Sequence, residues 1–457
     1  MNLKRSGRWM AGALAASFAL AAIGKTTPEQ TARLGVDLTP MGAEAAANEN
    51  GSIPAWTGGQ TAPPSNFAGA GSRYVDPYPE DKPLFTITAA NLSAYRARLT
   101  TGQIALFEKY PDSYKMNVYP SRRSFANPPA VYEAARSNAL SAELSNKGET
   151  LSGAITAIPF PVTEEGQEAI WNHRLRYRDL STRSWDNQFN VSASGEYNVV
   201  KFRVESLFTY GQQGIKPDSL DNILFYWSRT VTEPKALAGS QMLVHETMDG
   251  VKELRKAWEY TPGQIRSSMR RSSLTTYDNF GVAVDGLLTI DQMDMFNGAL
   301  DRYDWKLEKK REIYIPVNSY ALHSDQYKYP DIIRKSHINQ DLPRYELRRV
   351  WVVDARVKKG GVSHIYKRRT FYLDEDSWQI VLVDIYDAQD QIWRVQEGHS
   401  IIAYDKLYQM PVMETIYDLA SGRYLVRSLN NEDVETASHP FEARDFDASR
   451  AKRLQKK

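Results

Sequence analysis

Cysteine is absent from all 457 residues. Disulfide frameworks, thiolate zinc centres, iron–sulfur clusters, thiol nucleophiles and a lipidated N-terminal cysteine are therefore excluded. An excess of charge of either sign is also missing: 57 Lys and Arg face 55 Asp and Glu, a formal +2. A basic nucleic-acid footprint is lacking with it. The seven histidines stand at no metal-ligand spacing. His245 adjoins Glu246, but neighbours on a strand point to opposite faces. There is no Gly-x-Ser-x-Gly elbow, no phosphate-cradling Gly-x-x-x-x-Gly-Lys and no Gly-x-Gly-x-x-Gly. Neither a cofactor nor a metal is called for. Beyond the first 24 residues, no run is long and apolar enough to span a membrane as a helix.

What is present in quantity is aromatic: 26 Tyr, 15 Phe and 10 Trp, or 11%. That density favours strands and large apolar surfaces over helical bundles. Residues 1–24 read as a signal peptide, with Lys4, Arg5 and Arg8 ahead of an uncharged stretch from Trp9 to Ile23. Export to the periplasm is the expected localisation. Without those residues 54 bases face 55 acids, and five of the bases sit between Ala448 and Lys457. Residues 441–457 are therefore expected to form a basic tail on a mildly acidic body.

Residues 25–88, rich in Pro and Gly, read as an extended arm. Residues 89–180 read as a helical segment packed on a sheet. Asn91 is expected to cap one helix, Pro129 to open a second, and Thr163 to cap a third that runs to Arg178. Residues 181–440 read as an antiparallel meander. Its runs include Phe202–Leu207, Ile223–Val231, Gln241–Thr247, Leu254–Tyr260, Gln264–Arg271 and Val350–Val357, separated by turns such as Lys358-Lys359-Gly360-Gly361. The stretch Gly281–Asp304 reads as a short helix or an irregular loop. Its Asp285, Asp291, Asp294 and Asp301 are expected to be solvated turn and cap residues, and Asp374, Glu375 and Asp376 to form a hairpin turn. Lys367, Arg368 and Arg369 are expected on a charged outer face. One echo, Glu253–Trp258 against Glu346–Trp351, is too short to establish a duplication.

The remaining signal is apolar surface on both faces of the strands. Ile223, Phe225, Trp227 and Val231 share one face, and Trp378 to Tyr386 is apolar on both. Such a sheet has helices on one side and a second layer or an apolar ligand on the other. Phe225, Trp227, Trp258, Trp351, Trp378 and Trp393 are the expected ligand-facing or core aromatics.

Several segments resemble one family. They are Leu38–Glu44 (LTPMGAE), Gly51–Gly59 (GSIPAWTGG), Lys82–Thr88 (KPLFTIT), Ile158–Pro161 (IPFP), Ala169–His173 (AIWNH), Phe296–Trp305 (FNGALDRYDW), Arg344–Glu346 and Tyr372–Trp378 (YLDEDSW). Together they resemble the domain of unknown function 1329, over residues 33 to 428. The resemblance implies a secreted Gram-negative protein similar to outer-membrane lipoprotein-sorting carriers. The implied fold is mainly β with helices (α+β), a curved antiparallel half-barrel with a helical lid. It also implies an RND-type transporter and an outer-membrane companion as partners, and it supplies no catalytic residues. The expected function is a non-catalytic carrier or chaperone of a lipid or other hydrophobic molecule. The alternatives are a carboxylate-dependent hydrolase or lyase acting on an envelope glycan or lipid, and a scaffold subunit of a transporter complex.

Overall fold

The structure is a computed structural model. It describes residues 26–449 except 213, 263–269, 272–280 and 282, and only the backbone of Asp218, Arg270 and Arg271. The expected signal peptide, the end of the basic tail and most of the expected strand Gln264–Arg271 lie outside the described residues.

The alternating runs form strands. In chain order the principal ones are β1 (Phe85–Ile87), β2 (Met116–Tyr119), β3 (Ser181–Trp185), β4 (Asn187–Val191), β5 (Tyr197–Leu207), β6 (Ile223–Glu233), β7 (Gln241–Thr247) and β8 (Lys256–Tyr260). They continue with β9 (Tyr303–Leu307), β10 (Arg311–Pro316), β11 (Tyr345–Val357), β12 (Arg368–Asp374), β13 (Ile380–Tyr386), β14 (Ile392–Ala403), β15 (Tyr408–Asp418) and β16 (Tyr424–Leu429). Within β5–β8 and within β11–β16 each strand pairs antiparallel with its successor, most across short turns, β5 and β6 across residues 208–222 and β11 and β12 across residues 358–367. The two meanders meet where β16 pairs with β4, Val426 opposite Phe189. The other half of β5 pairs with β3. The result is one open sheet that continues past β8 to the two-residue strand Arg270–Arg271 at one side and reaches β9 and β10 at the other. One ladder is parallel: β2 beside the start of β11.

Helices cover both faces rather than one. α1 (Thr101–Lys109) buries Leu106 and Phe107 against Tyr314, Tyr345 and Tyr417. α2 (Pro129–Ser141) and α3 (Gly166–Leu175) bury Val131 and Trp171 against the opposite face, with Val383 and Ile385 of β13. Val381 and Leu382 of β13 join Ile313 and Val352 elsewhere. A bulge between Tyr372 and Leu373 moves Ile380 to the side of Val383, breaking the strict alternation read from the sequence.

The expected helix starts need two corrections. Asn91 opens only two 3-10 turns, Leu92–Ala94 and Arg96–Arg98, and the full helix begins at Thr100, whose hydroxyl accepts from Gln103 N–H. α3 begins after Glu165, not Thr163. The Glu168 carboxylate takes the N–H groups of Glu164 and Glu165, while the Thr163 hydroxyl donates to Phe160 O.

Residues 26–84 follow the sheet with little regular structure, held by side chains. Trp378 Nε1 donates to Met41 O at 2.7 Å, and Arg123 donates to Glu44 O, Ala45 O and Pro54 O. Gly42 sits at φ +88°, where a Cβ would lie 1.7 Å from Pro161 O. Gly42→Ala is therefore expected to cost at least about 1 kcal/mol and to expose residues 35–60 to protease, read by thermal unfolding and limited proteolysis.

Candidate functional site

Where β5, β6 and β7 face β15 and β16, the sheet forms a partly open cavity of about 260 Å³. Five strand steps separate β7 from β15, about 24 Å across a flat sheet at 4.8 Å per step. Met242 of β7 and Met410 of β15 nevertheless line the same cavity, so the sheet curls around it. An apolar cavity of roughly 150 Å³ already accepts benzene, so this one has room for a larger guest.

The apolar part of the wall is Val204, Leu224, Phe225, Trp227, Met242, Val244 and Met410 from the strands, and Ile290, Met293 and Phe296 from the loop between β8 and β9. This loop is the stretch left open between helix and loop. It contains 3-10 turns at Ile290–Gln292 and Leu300–Arg302 and is otherwise irregular. Two of its aspartates correct the sequence reading, being ion-pair centres rather than solvated caps. Asp291 is 1% exposed, 2.6 Å from Arg369 and 3.2 Å from His364 Nε2. Arg369 is fully buried among Phe296, Tyr303, Tyr366 and Phe371, not on an outer face. Asp294 takes Arg176 and, at 3.0 Å, Arg178 from the end of α3, while His173 Nε2 lies 2.8 Å from Asp294 O. Burial opposes ionisation of Asp294, but Arg176 and Arg178 outweigh it and hold the carboxyl well below the usual range. Burial pushes the His173 imidazole down to about 3, so it is neutral.

Charges on the cavity wall are arranged in pairs. Asp186 accepts from Arg427 at 2.9 Å, Asp179 from Lys406 at 2.6 Å, and Glu246 from Arg255 Nε at 2.6 Å. Burial raises Asp186, but Arg427 and Arg229 outweigh it and leave the carboxyl lowered. Glu414 differs from these. Its Oε2 has no hydrogen-bond partner and lies 3.5 Å from Arg427 Nη1, which has none either. Burial pushes its carboxyl up to about 7 against the pull of Arg427.

Of the six aromatics expected at the site, Phe225 and Trp227 line the cavity. The other four lie elsewhere. Trp351 and Trp378 stack at 5.2 Å, with Trp378 fully buried under the arm. Trp258 packs against His245 on the other face of the sheet, in the cluster with Phe441 and Phe446. Trp393 lies against Tyr366 and the Arg394 guanidinium. As the sequence implies, His245 and Glu246 diverge: Glu246 reaches the cavity, and His245 Nε2 lies 2.9 Å from Phe446 O. Arg178 was legible only as the end of the third helix, and Asp186, Glu414 and Arg427 carried no sequence signal.

Among the described residues no group of three or more His, Asp or Glu could hold a metal ion, and no helix is long and apolar enough to cross a membrane. An open sheet curled about a cavity with apolar and charged walls defines a cavity-bearing β protein. The family described as "Protein of unknown function (DUF1329)" matches residues 86–453, and the chain belongs to it. Uncharacterized protein PA3922 of Pseudomonas aeruginosa is 47% identical over 421 residues, covering 92% of this chain and 91% of that relative. Among solved structures, a DUF1329 family protein from Desulfovibrio piger superposes with a TM-score of 0.39 at 15% identity, covering 59% of this chain and 90% of that one. LolA superfamily protein NE2245 from Nitrosomonas europaea gives 0.37 at 11%, covering 62% and 98%.

Proposed function

We propose that this protein is a periplasmic carrier that holds one hydrophobic small molecule in the cavity between β5–β7 and β15–β16. One observation supports the reading above all: apolar side chains from strands distant in the sheet converge on a partly open cavity large enough for a guest. Phe225 and Trp227 are the aromatic contacts in this reading. Delivery to or from an RND-type transporter and an outer-membrane companion belongs to the same proposal, and no catalytic step is needed.

The test is displacement of the apolar fluorophore 1-N-phenylnaphthylamine from the purified protein. The wild type is expected to bind it at micromolar concentration. Val204→Trp, which fills the cavity from β5, is expected to weaken binding at least tenfold with an unchanged circular dichroism spectrum. Equal binding by the two proteins would place the fluorophore elsewhere and overturn the assignment.

A second reading, acid/base hydrolysis, is favoured by one observation: Glu414 is raised to about 7 while Asp186 and Asp294 are held down. Both depressed carboxylates are committed to arginines, which leaves no evident base, and the carrier reading stands ahead of it.

A further inference from the structure

Resting on the carrier reading, we infer that the guest is an uncharged molecule bearing a hydroxyl group, which Glu414 and Arg427 bind together at the polar end of the cavity. The argument starts from the wall charges. Every carboxylate of the lining lies within ion-pair distance of a cation: Lys406 for Asp179, Arg427 for Asp186 and, without a hydrogen bond, for Glu414, Arg255 for Glu246 and Arg178 for Asp294. Each lining arginine is likewise engaged, Arg174 lying 3.7 Å from Glu246. No unspent positive charge is left for a phosphate or carboxylate head group, and burying an unpaired anion here would be costly.

The polar atoms without partners define what fits instead. Glu414 and Arg427 are both more than nine-tenths buried, and both line the cavity. Glu414 Oε2 and Arg427 Nη1, 3.5 Å apart, both lack a hydrogen-bond partner. One oxygen atom can lie within hydrogen-bonding distance of both, provided it donates to the carboxylate and accepts from the guanidinium. A hydroxyl does both. A carboxylate has no proton for the ionised Glu414, and an ammonium has no lone pair for Arg427, whereas a hydroxyl also serves as acceptor when Glu414 is protonated. The groups that face Glu414 from the surrounding elements are Arg427 and Asp186 across the sheet, Asp294 from the loop and Arg176 from the end of α3. Burial is the main reason the carboxyl is hard to ionise, and the same desolvating wall makes a further unpaired charge from a head group costly.

The experiment compares 1-decanol, decanoate and decylamine as competitors of 1-N-phenylnaphthylamine on the full-length protein at pH 9, where Glu414 is ionised. Decanol is expected to compete at least tenfold more tightly than either charged chain. Glu414→Leu, which removes the acceptor, is expected to abolish that preference while the fluorophore still binds. Glu414→Gln, which keeps both an acceptor and the side-chain shape, is expected to retain most of it and guards against a folding defect. Decanoate or decylamine binding as tightly as decanol overturns the inference and leaves the carrier reading intact. A preference for decanol that survives Glu414→Leu overturns the assignment to Glu414. Failure of the wild type to bind the fluorophore or any of the three chains overturns the carrier reading itself.

Discussion

Arg348→Met is expected to destabilise the protein by about 3–5 kcal/mol, measured as the loss of unfolding free energy in a denaturant titration. The guanidinium is 2% exposed and ringed by carboxylates: Nη1 donates to Glu346 at 3.2 Å, Nη2 donates to Asp376 at 2.7 Å, and Asp374 lies at 3.6 Å. Arg344 also reaches Glu346, and Arg123 reaches Asp376, so two cations would remain for three buried acids. Removing one member of a buried ionic set costs far more than replacing the set with apolar groups, because the partners keep their charge and lose their compensation. The double variant Arg348→Met/Asp376→Asn is accordingly expected to recover part of the loss. A single-variant cost below about 1 kcal/mol would contradict this account.

Glu397→Gln is expected to have the opposite sign and to depend on pH. Glu397 is fully buried beside Tyr114 and Tyr417, and it accepts from the Tyr345 hydroxyl, 3.4 Å from each carboxylate oxygen. Burial pushes its carboxyl up from 4.5 to about 8, and the Tyr345 hydroxyl offsets only part of this. The folded chain therefore holds this proton to higher pH than the unfolded chain does. Between pH 4.5 and 8 the folded state binds more protons, so stability falls as pH rises through this window. At about 1.4 kcal/mol per pH unit, the burden by pH 8.5 is on the order of 3–5 kcal/mol. The glutamine variant is expected to match the wild type near pH 5 and to exceed it by that order at pH 8.5. Parallel stability curves for the two proteins would refute the assignment.

The sequence made one kind of order legible and hid another. Strands β11, β12 and β13 were readable because each is followed by its own turn and then by its partner. Local turn chemistry thus determined both the elements and their pairing. The junction of β16 with β4 was not readable, since nothing in either segment marks a partner so far along the chain. The site divides in the same way. Alternation put Phe225 and Trp227 on one face, and that face lines the cavity. Trp258, Trp351 and Trp378 announce equally large apolar surfaces, but a tryptophan requires cover without specifying which. The arm covers Trp378, whose ring stacks on Trp351, and the segment with Phe441 and Phe446 packs near Trp258. Arg369 and Asp291 looked like surface charges because their pairing depends on an irregular loop that has no periodic signal. Glu414 was invisible for the reason that makes it informative: it lacks the hydrogen-bonding partner that a pattern would have supplied.

The docking of the arm constrains the order in which the molecule can be assembled. Met41 waits for Trp378, Glu44 for Lys310 and Glu375, and Arg123 for Asp376. Each early residue takes its place only when a segment hundreds of residues later exists to receive it. Contacts of such long sequence separation slow folding, because their loops must close before any contact repays the lost entropy. The first part of the chain to be synthesised is therefore among the last to settle. Until then Met41 and Ile53, both buried in the finished fold, remain exposed to whatever meets the nascent chain.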